Sequence, residues 1–330
     1  MSKKIKSLVT GGAGFIGSNL VDLLLKKGHN VTVLDNFSTG RKANLSHNKT
    51  KSLTIINVDI SSKKKIEKYF KRIDYVFHLA GLADIVPSIE NPKKYFESNV
   101  LGTLNVLEAS RKYGLKKFIY AASASCYGLP SEFPTKESSR ISPMYPYAFS
   151  KWQGEELVKH WSQVYGMPFI SMRFFNVYGP RSRTSGAYGA VFGVFLAQKI
   201  SNKPLTIVGD GKQTRDFIFV DDLVEGILKA AISNKKNKIY NIAGGKEVSV
   251  NLISKIIGGK KIFIPKRPGE PDRSLADIKK IKKDLNWKPK TNIKEGIGSL
   301  LKKIEYWKDA PVWTPNKIKR ATKAWFKLLK

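Results

Sequence analysis

Apolar and polar positions follow two rhythms along the first half of the chain. Short apolar runs of strand length occupy 5–10, 31–35, 53–59, 75–80, 118–122 and 169–174. Between them lie stretches whose apolar residues recur at helical spacing, over 15–27, 63–70, 95–113 and 147–165. In the third of these, Leu101, Leu104, Val106 and Leu107 fall on the apolar side. Regular alternation of the two rhythms predicts a parallel, doubly wound α/β sheet with right-handed crossovers. After Gly179 the rhythm changes. The small and polar residues of 181–189 predict a loop, 191–200 a helix, 216–220 a strand, and 221–231 a helix capped by its aspartates. From Tyr240 short strands alternate with helices over 250–257, 278–285 and 293–307. The expected division is a first domain over 1–179, with 205–235 returning to it. Most of 180–330 then forms a smaller α+β substrate lobe covering the open end of the sheet, with a ligand crevice between the two.

Composition changes this picture little. Of the 330 residues, 42% are hydrophobic, which suits a globular protein rather than a disordered one. The single cysteine, Cys126, cannot build a disulfide framework, so a reducing, cytoplasmic location is expected. The opening MSKKIKSLVTGGAGFIG is basic and then apolar, like an export signal, but glycines break its apolar part. No apolar run approaches the length of a membrane span, and no membrane partner is expected. The net charge of +33 would attract polyanions. The lysines are scattered, however, without interleaved aromatics or a nucleic-acid motif. They read as a lysine-rich surface that binds RNA weakly at low salt, with no specific nucleic-acid partner.

Candidate chemistry begins at the first strand–helix junction. Gly11, Gly14 and Gly17 lie in Thr10-Gly11-Gly12-Ala13-Gly14-Phe15-Ile16-Gly17. Glycines there permit a tight turn and close approach of backbone to a pyrophosphate, and the helix N-terminus offers free N–H groups. An acid, Asp35, ends the second strand at the expected distance. Its carboxylate can accept from both ribose hydroxyls of an adenosine and would repel a 2′-phosphate, which favours NAD over NADP. Arg41, close by, keeps the alternative open. Asp59 ends the third strand and reads equally as an adenine partner or a turn residue.

Tyr147 and Lys151 open a predicted helix just after Pro146. Four residues apart, they share one helix face, and a cation beside a phenol favours phenolate, a usable general base for a sugar hydroxyl. Ser123 follows a strand at the carboxyl end where ligands gather, placed to hydrogen-bond the reacting oxygen. Asn99 reads as structural, fixing water near Lys151. Cys126 has no activating base and reads as packing. The four histidines, His78 among them, show no metal-ligand spacing, and no metal is expected.

Taken together, these motifs resemble the extended short-chain dehydrogenase/reductase family and, within it, the NAD-dependent nucleotide-sugar epimerase/dehydratase group, most of all its UDP-glucose and UDP-N-acetylglucosamine 4-epimerases. The resemblance runs through Asp35 to Gly40, His78-Leu79-Ala80-Gly81, Asn99 to Thr103, Ser123 to Gly128, Pro146 to Lys151, Arg173 to Arg181, Gly209 to Asp216 and Arg267-Pro268-Gly269-Glu270. It implies a Rossmann-type fold and a homodimer paired through 95–113 and 147–165. It implies that Ser123, Tyr147 and Lys151 are catalytic. It also implies that NAD touches Phe15, Ile16, Asn36, Ser38, Thr39, Gly40, Ile60, Leu79, Ala80, Gly81, Asn99 and Lys151. For the substrate it implies Ser123, Ser125, Tyr147, Asn176, Arg215, Arg267 and Glu270, with the arginines gripping a nucleotide diphosphate.

The subgroup follows from what is missing. Dehydratases of the group carry an Asp-Glu pair just after the catalytic Ser or Thr, and decarboxylases a Glu; this chain reads Ser123-Ala124-Ser125-Cys126-Tyr127. What remains is C4 epimerisation of a UDP-sugar through a transient 4-keto sugar, with UDP-uronate epimerisation, dehydration and decarboxylation as alternatives, and, from another class and on the charge alone, a nucleic-acid-associated protein on a dinucleotide-binding fold. Ser274, where related epimerases place a bulky residue, would leave room for an N-acetyl group. The basic residues of 181–188 could receive a uronate carboxylate. Ala121-Ala122 stand where many relatives have serines, and the tail beyond Pro311, with Trp325-Phe326, carries no assigned role.

Overall fold

The computed structural model describes residues 4–182 and 191–329. The expected loop over 181–189 and its basic residues past Ser182 therefore lie outside the described residues. All six strands expected in the first half are present: β1 Lys6–Thr10, β2 Asn30–Asp35, β3 Leu53–Asn57, β4 Tyr75–His78, β5 Lys117–Ser123 and β6 Phe169–Phe174. With Lys238–Ile242 (β10) they form one seven-stranded sheet in the order β10-β6-β5-β4-β1-β2-β3, every pairing parallel. The order reverses between β1 and β4, so a crevice opens at their carboxyl ends.

The inner strands β1, β2, β4, β5 and β6 are largely buried, which is why they read as nearly continuous apolar runs, whereas β3 at the sheet edge leaves Thr54 and Ile55 exposed. Val9, Val33, Phe77 and Ile119 join one core, beneath α1 Phe15–Lys26 and α8 Val220–Ile232. Their neighbours Leu8, Leu34, Val76 and Phe118 join the other, beneath α5 Gly102–Tyr113 and α6 Pro146–Tyr165. The helix expected over 63–70 ends early: α2 Lys63–Ile66 tightens into a 3-10 turn at Glu67–Phe70.

The helix expected over 95–113 is three pieces, α4 Pro92–Phe96, a π-helical turn at Glu97–Leu101, and α5. A further helix, α3 Ile85–Glu90, precedes it. Pro87 falls in the first turn of α3, where its missing N–H has no intrahelical partner to lose. The aspartates of 221–231 do not cap that helix. Phe219 is the N-cap residue of α8, and Asp221 and Asp222 lie in its first turn. The Asp222 carboxylate instead accepts from the backbone N–H groups of Lys290 and Thr291.

The second lobe holds a three-stranded sheet of β7 Asn176–Tyr178, β9 Thr214–Phe219 and β11 Glu247–Ser249, and a pair of β8 Leu205–Val208 with β12 Lys261–Ile264. Around them pack α7 Val191–Ile200, α9 Val250–Ile257 and α11 Ile293–Lys302, followed by a 3-10 turn at Ile304–Trp307 where a continuous helix was expected. Phe192, Phe195, Ile207, Ile253, Leu300 and Trp307 form the core of this lobe. Leu205–Val208 stays here, so the return of the chain to the large sheet is made by α8, β10 and α10 Lys279–Leu285. The chain closes with α12 Pro315–Ala321 and α13 Lys323–Leu328. Among the described residues, no helix is long and apolar enough to cross a membrane.

Candidate active site

A cleft follows the carboxyl ends of β1, β2 and β4 from Asp35 and Asp59 to Tyr147 and Lys151. The glycine turn forms its floor. Gly11 has φ +70°, and a Cβ on Gly17 would stand 2.1 Å from the Gly11 carbonyl oxygen, so only glycine lets α1 start this close to β1. Gly14 is the N-cap residue of α1; no side chain caps the helix, and no acid occupies its first turn. That end is open to an anion. Asp35 is buried, and its carboxylate accepts from Ala13 N at 2.9 Å and Phe37 N at 2.8 Å. Burial raises its pKa despite these bonds. Two acceptor sites remain on the cleft side for ribose hydroxyls. Arg41 places its guanidinium over the Tyr306 ring, 5.6 Å from the centroid, and does not line the cleft. Asp59 lines the cleft, and its carboxylate accepts from Asn36 Nδ2 and from Ser61 N, so the turn reading and the cleft position hold together.

Phe15, Ile16, Asn36, Ser38, Thr39, Ile60, Leu79, Ala80 and Gly81 line the same cleft. Two expected residues do not. Gly40 packs against Ala13 and Asp35 behind the turn. Asn99 is buried, and its carboxamide pairs with both backbone groups of Leu82 and with Ser150 Oγ. It clamps the loop after β4, while its neighbour Ser98 reaches the cleft. An uncapped helix start on a glycine turn, with an acid at the ribose end, fits a dinucleotide.

The reacting end is built where β5 meets α6. Ser123 ends β5, and its Oγ lies 2.8 Å from Ser125 Oγ. Tyr147 lies in the first turn of α6, and its hydroxyl donates to Ser123 Oγ at 3.1 Å. Lys151, one turn on, is 7% exposed and holds its Nζ 4.5 Å from the Tyr120 ring centroid. The expected lowering of the tyrosine pKa is not what the chain produces. Burial raises Tyr147, and the bonds from Ser123 and Ser125 oppose it only in part. Burial likewise pushes Lys151 down to about 7, against the pull of Glu155. Desolvation outweighs the pairing read from the helix spacing.

Cys126 is buried, with its thiol pushed up to about 12. His78 is a core residue, its two ring nitrogens bonded to the hydroxyls of Thr10 and Thr103. Among the described residues, no cluster of His, Cys, Asp or Glu is placed to hold a metal.

A second cavity, of about 300 Å³, meets the first at Ser123, Tyr147 and Phe175 and runs toward Asn176, Arg215, Arg267 and Ser274. It leads on to a narrow, mainly apolar groove between Val194, Phe195 and Val208. Glu270 lies between the arginines, 2.9 Å from Arg215 Nη2 and 3.8 Å from Arg267 Nη1. It orients the cations rather than presenting itself to an anion. Arg181 donates to Asp22 of α1 and lines none of these cavities; the rest of the loop expected to receive a carboxylate lies outside the described residues. Phe174 and Phe175, which directly precede Asn176, were legible as part of that stretch; Tyr145 and Trp325 also line the cavity, and Trp325 had no local signal.

The sequence profile described as the NAD dependent epimerase/dehydratase family matches residues 7–243. A Methanocaldococcus jannaschii protein provisionally named UDP-glucose 4-epimerase is 42% identical over 298 residues, covering 88% of this chain and 95% of its own length. The crystal structure of the UDP-glucose 4-epimerase of Thermotoga maritima with UDP-glucose matches with a TM-score of 0.85 at 34% identity, over 92% of this chain and 98% of that one. The UDP-glucuronic acid 4-epimerase of Bacillus cereus, in complex with UDP-glucuronic acid and NAD, matches with a TM-score of 0.83 at 32% identity, over 92% and 99%.

Proposed function

The chain belongs to the NAD dependent epimerase/dehydratase family, and from that footing we propose that it interconverts the C4 epimers of a UDP-linked sugar, a hexose or an N-acetylhexosamine. The observation that carries the reading is the Tyr147–Ser123 pair, placed where the dinucleotide cleft and the arginine-lined cavity meet. Bound NAD supplies a reversible hydride acceptor. The chain supplies the rest. To take the proton of the sugar's C4 hydroxyl and later return it, Tyr147 Oη must first release the one it donates to Ser123. A charged Lys151 and the positive nicotinamide ring of bound NAD would favour that phenolate, and Ser123 Oγ orients the reacting oxygen. Arg215 and Arg267, held by Glu270, take the diphosphate bidentately. Asn176, between the two substrate cavities, lies alongside it.

Glu270 is the one carboxylate lining the reaction cavity among the described residues. With none beside Ser123, acid and base for loss of water or CO₂ lack a source, which favours epimerisation over dehydration or decarboxylation. Ser274 on the cavity wall leaves space for an N-acetyl group. A homodimer is part of this reading: the helical stretch from Glu97 and the end of α6 expose Leu101, Tyr113, Val164 and Tyr165, an apolar face suited to a second copy.

Proton NMR of the protein with NAD and, in separate tubes, UDP-glucose, UDP-N-acetylglucosamine and UDP-glucuronate tests the substrate. New anomeric signals of the C4 epimer, reaching the same plateau from either side, are expected for the first two. Turnover of UDP-glucuronate alone would replace the substrate reading with the uronate one, and no turnover in any tube would overturn it.

A further inference from the structure

The tail after Pro311 has no role in the sequence reading, yet both of its helices return to the substrate cavities. Buried Ile318, Thr322 and Trp325 recur at helical spacing and form one inward stripe. Helices this short do not hold themselves together in water, so contacts along that stripe keep them in place. Ile318 lines the apolar groove with Val194, Phe195 and Arg267. Trp325 is 3% exposed and lines the cavity that contains Ser123, Tyr147 and Arg267.

The Trp325 indole is held from both lobes. Its N–H donates to the Pro268 carbonyl at 2.6 Å, in the loop that carries Arg267 and Glu270. The Arg267 guanidinium lies 6.0 Å from its ring, and the Tyr145 ring 6.4 Å away. Val86 of α3, on the side of the large sheet, completes the cluster. The start of the tail is pinned separately, by Gln198 donating to the Trp313 carbonyl at 2.7 Å.

We propose that α12 and α13 form a fixed strap that walls the nucleotide-sugar site, with Ile318 closing the base end and Trp325 positioning Arg267 at the diphosphate. The inference rests on the proposed function for what fills the groove. A dianionic diphosphate between two lobes needs its arginines held before it arrives, and an indole that fixes the arginine's loop and faces its guanidinium does this without adding a competing charge. Trp325 is thus a positioning residue, and its removal should weaken binding more than it slows the bound substrate.

The test is calorimetric titration of the full-length, NAD-loaded protein with UDP and with UDP-glucose, beside kcat and KM, NAD content and thermal melting. Trp325→Ala is expected to weaken both ligands about tenfold, the scale of one charge-assisted contact, raising KM while kcat changes little. Ile318→Ala should weaken both by about fourfold or more, the scale of one methylene buried against a ligand. Trp325→Phe, which keeps a ring but loses the N–H, should fall between wild type and Trp325→Ala. If Trp325→Ala loses NAD or melts early, Trp325→Phe and Ile318→Ala decide on the same titration. Unchanged affinities in folded variants of a wild type that binds would overturn the strap alone. A wild type that binds neither UDP nor UDP-glucose would overturn the substrate reading and the strap with it.

Discussion

Lys151 stands one turn after Tyr147 on α6, yet its ammonium lies over the Tyr120 ring while the tyrosine hydroxyl donates to Ser123. The proposed base is therefore oriented by a serine, and burial rather than the lysine governs its pKa. Tyr147→Phe removes the proton acceptor and leaves the ring. Turnover should fall by about a thousandfold with UDP-glucose affinity nearly unchanged, measured by NMR and calorimetry; a loss below tenfold would reassign the base. His78 shows how burial governs a titratable group outside the chemistry. Burial and the Lys151 charge push its pKa down to about 3. The unfolded imidazole protonates first, near its ordinary value of 6.5. The stability present above that pH is lost as pH falls toward the folded value, at about 1.4 kcal/mol per pH unit. Urea unfolding at pH 7, 6 and 5 should show this slope, and His78→Gln should flatten it.

Among the elements, α6 carries most of the site and is anchored from below. Glu155, 1% exposed, accepts from Ser171 Oγ at 2.7 Å and from Arg173 Nε at 3.1 Å. Arg173 also donates to Tyr127 Oη and to the Glu137 carbonyl, and Tyr127 Oη donates to Asn241, so α6, β6, β10 and the turn after Ser123 share one buried network. Glu155→Ala strands a buried guanidinium and should cost about 3–5 kcal/mol in chemical denaturation. A cost below about 1 kcal/mol would mean the pair is not buried in solution. Element identity was largely legible because strand and helix periodicities are local. The π turn at Glu97–Leu101 was not: an inserted residue rotates the helix register, so Leu101, read on the apolar side, is exposed, while Ser98 turns to the cleft and Asn99 to Leu82.

Over the whole molecule, two lobes assembled from interleaved segments share the arginine-lined groove proposed to take the substrate, and a cationic surface surrounds them. The charge of +33 is spread along the chain rather than gathered into a reading head. RNA of random sequence should bind at low salt and lose about a thousandfold in affinity by physiological salt, followed by filter binding. Tight binding that persists at physiological salt would contradict the lysine-rich surface reading. The strand order, the return of β10 to the large sheet and the fold of the tail over the groove all join residues far apart in sequence, which no local pattern encodes.

Sequence alone determined the strands of the large sheet and most of the helices on it, the glycine turn, the acid at the end of β2 and the Tyr147–Lys151 spacing, because each depends on neighbours a few residues away. Tertiary structure alone decided what those groups face. It raised the Tyr147 pKa where spacing predicted a drop, gave Glu270 to the arginines, turned Asn99 to the loop after β4, and brought Ile318 and Trp325 to the arginine-lined cavities. The physical reason is that desolvation and long-range pairing depend on which segments fold against one another, and that is fixed only when the whole chain is packed.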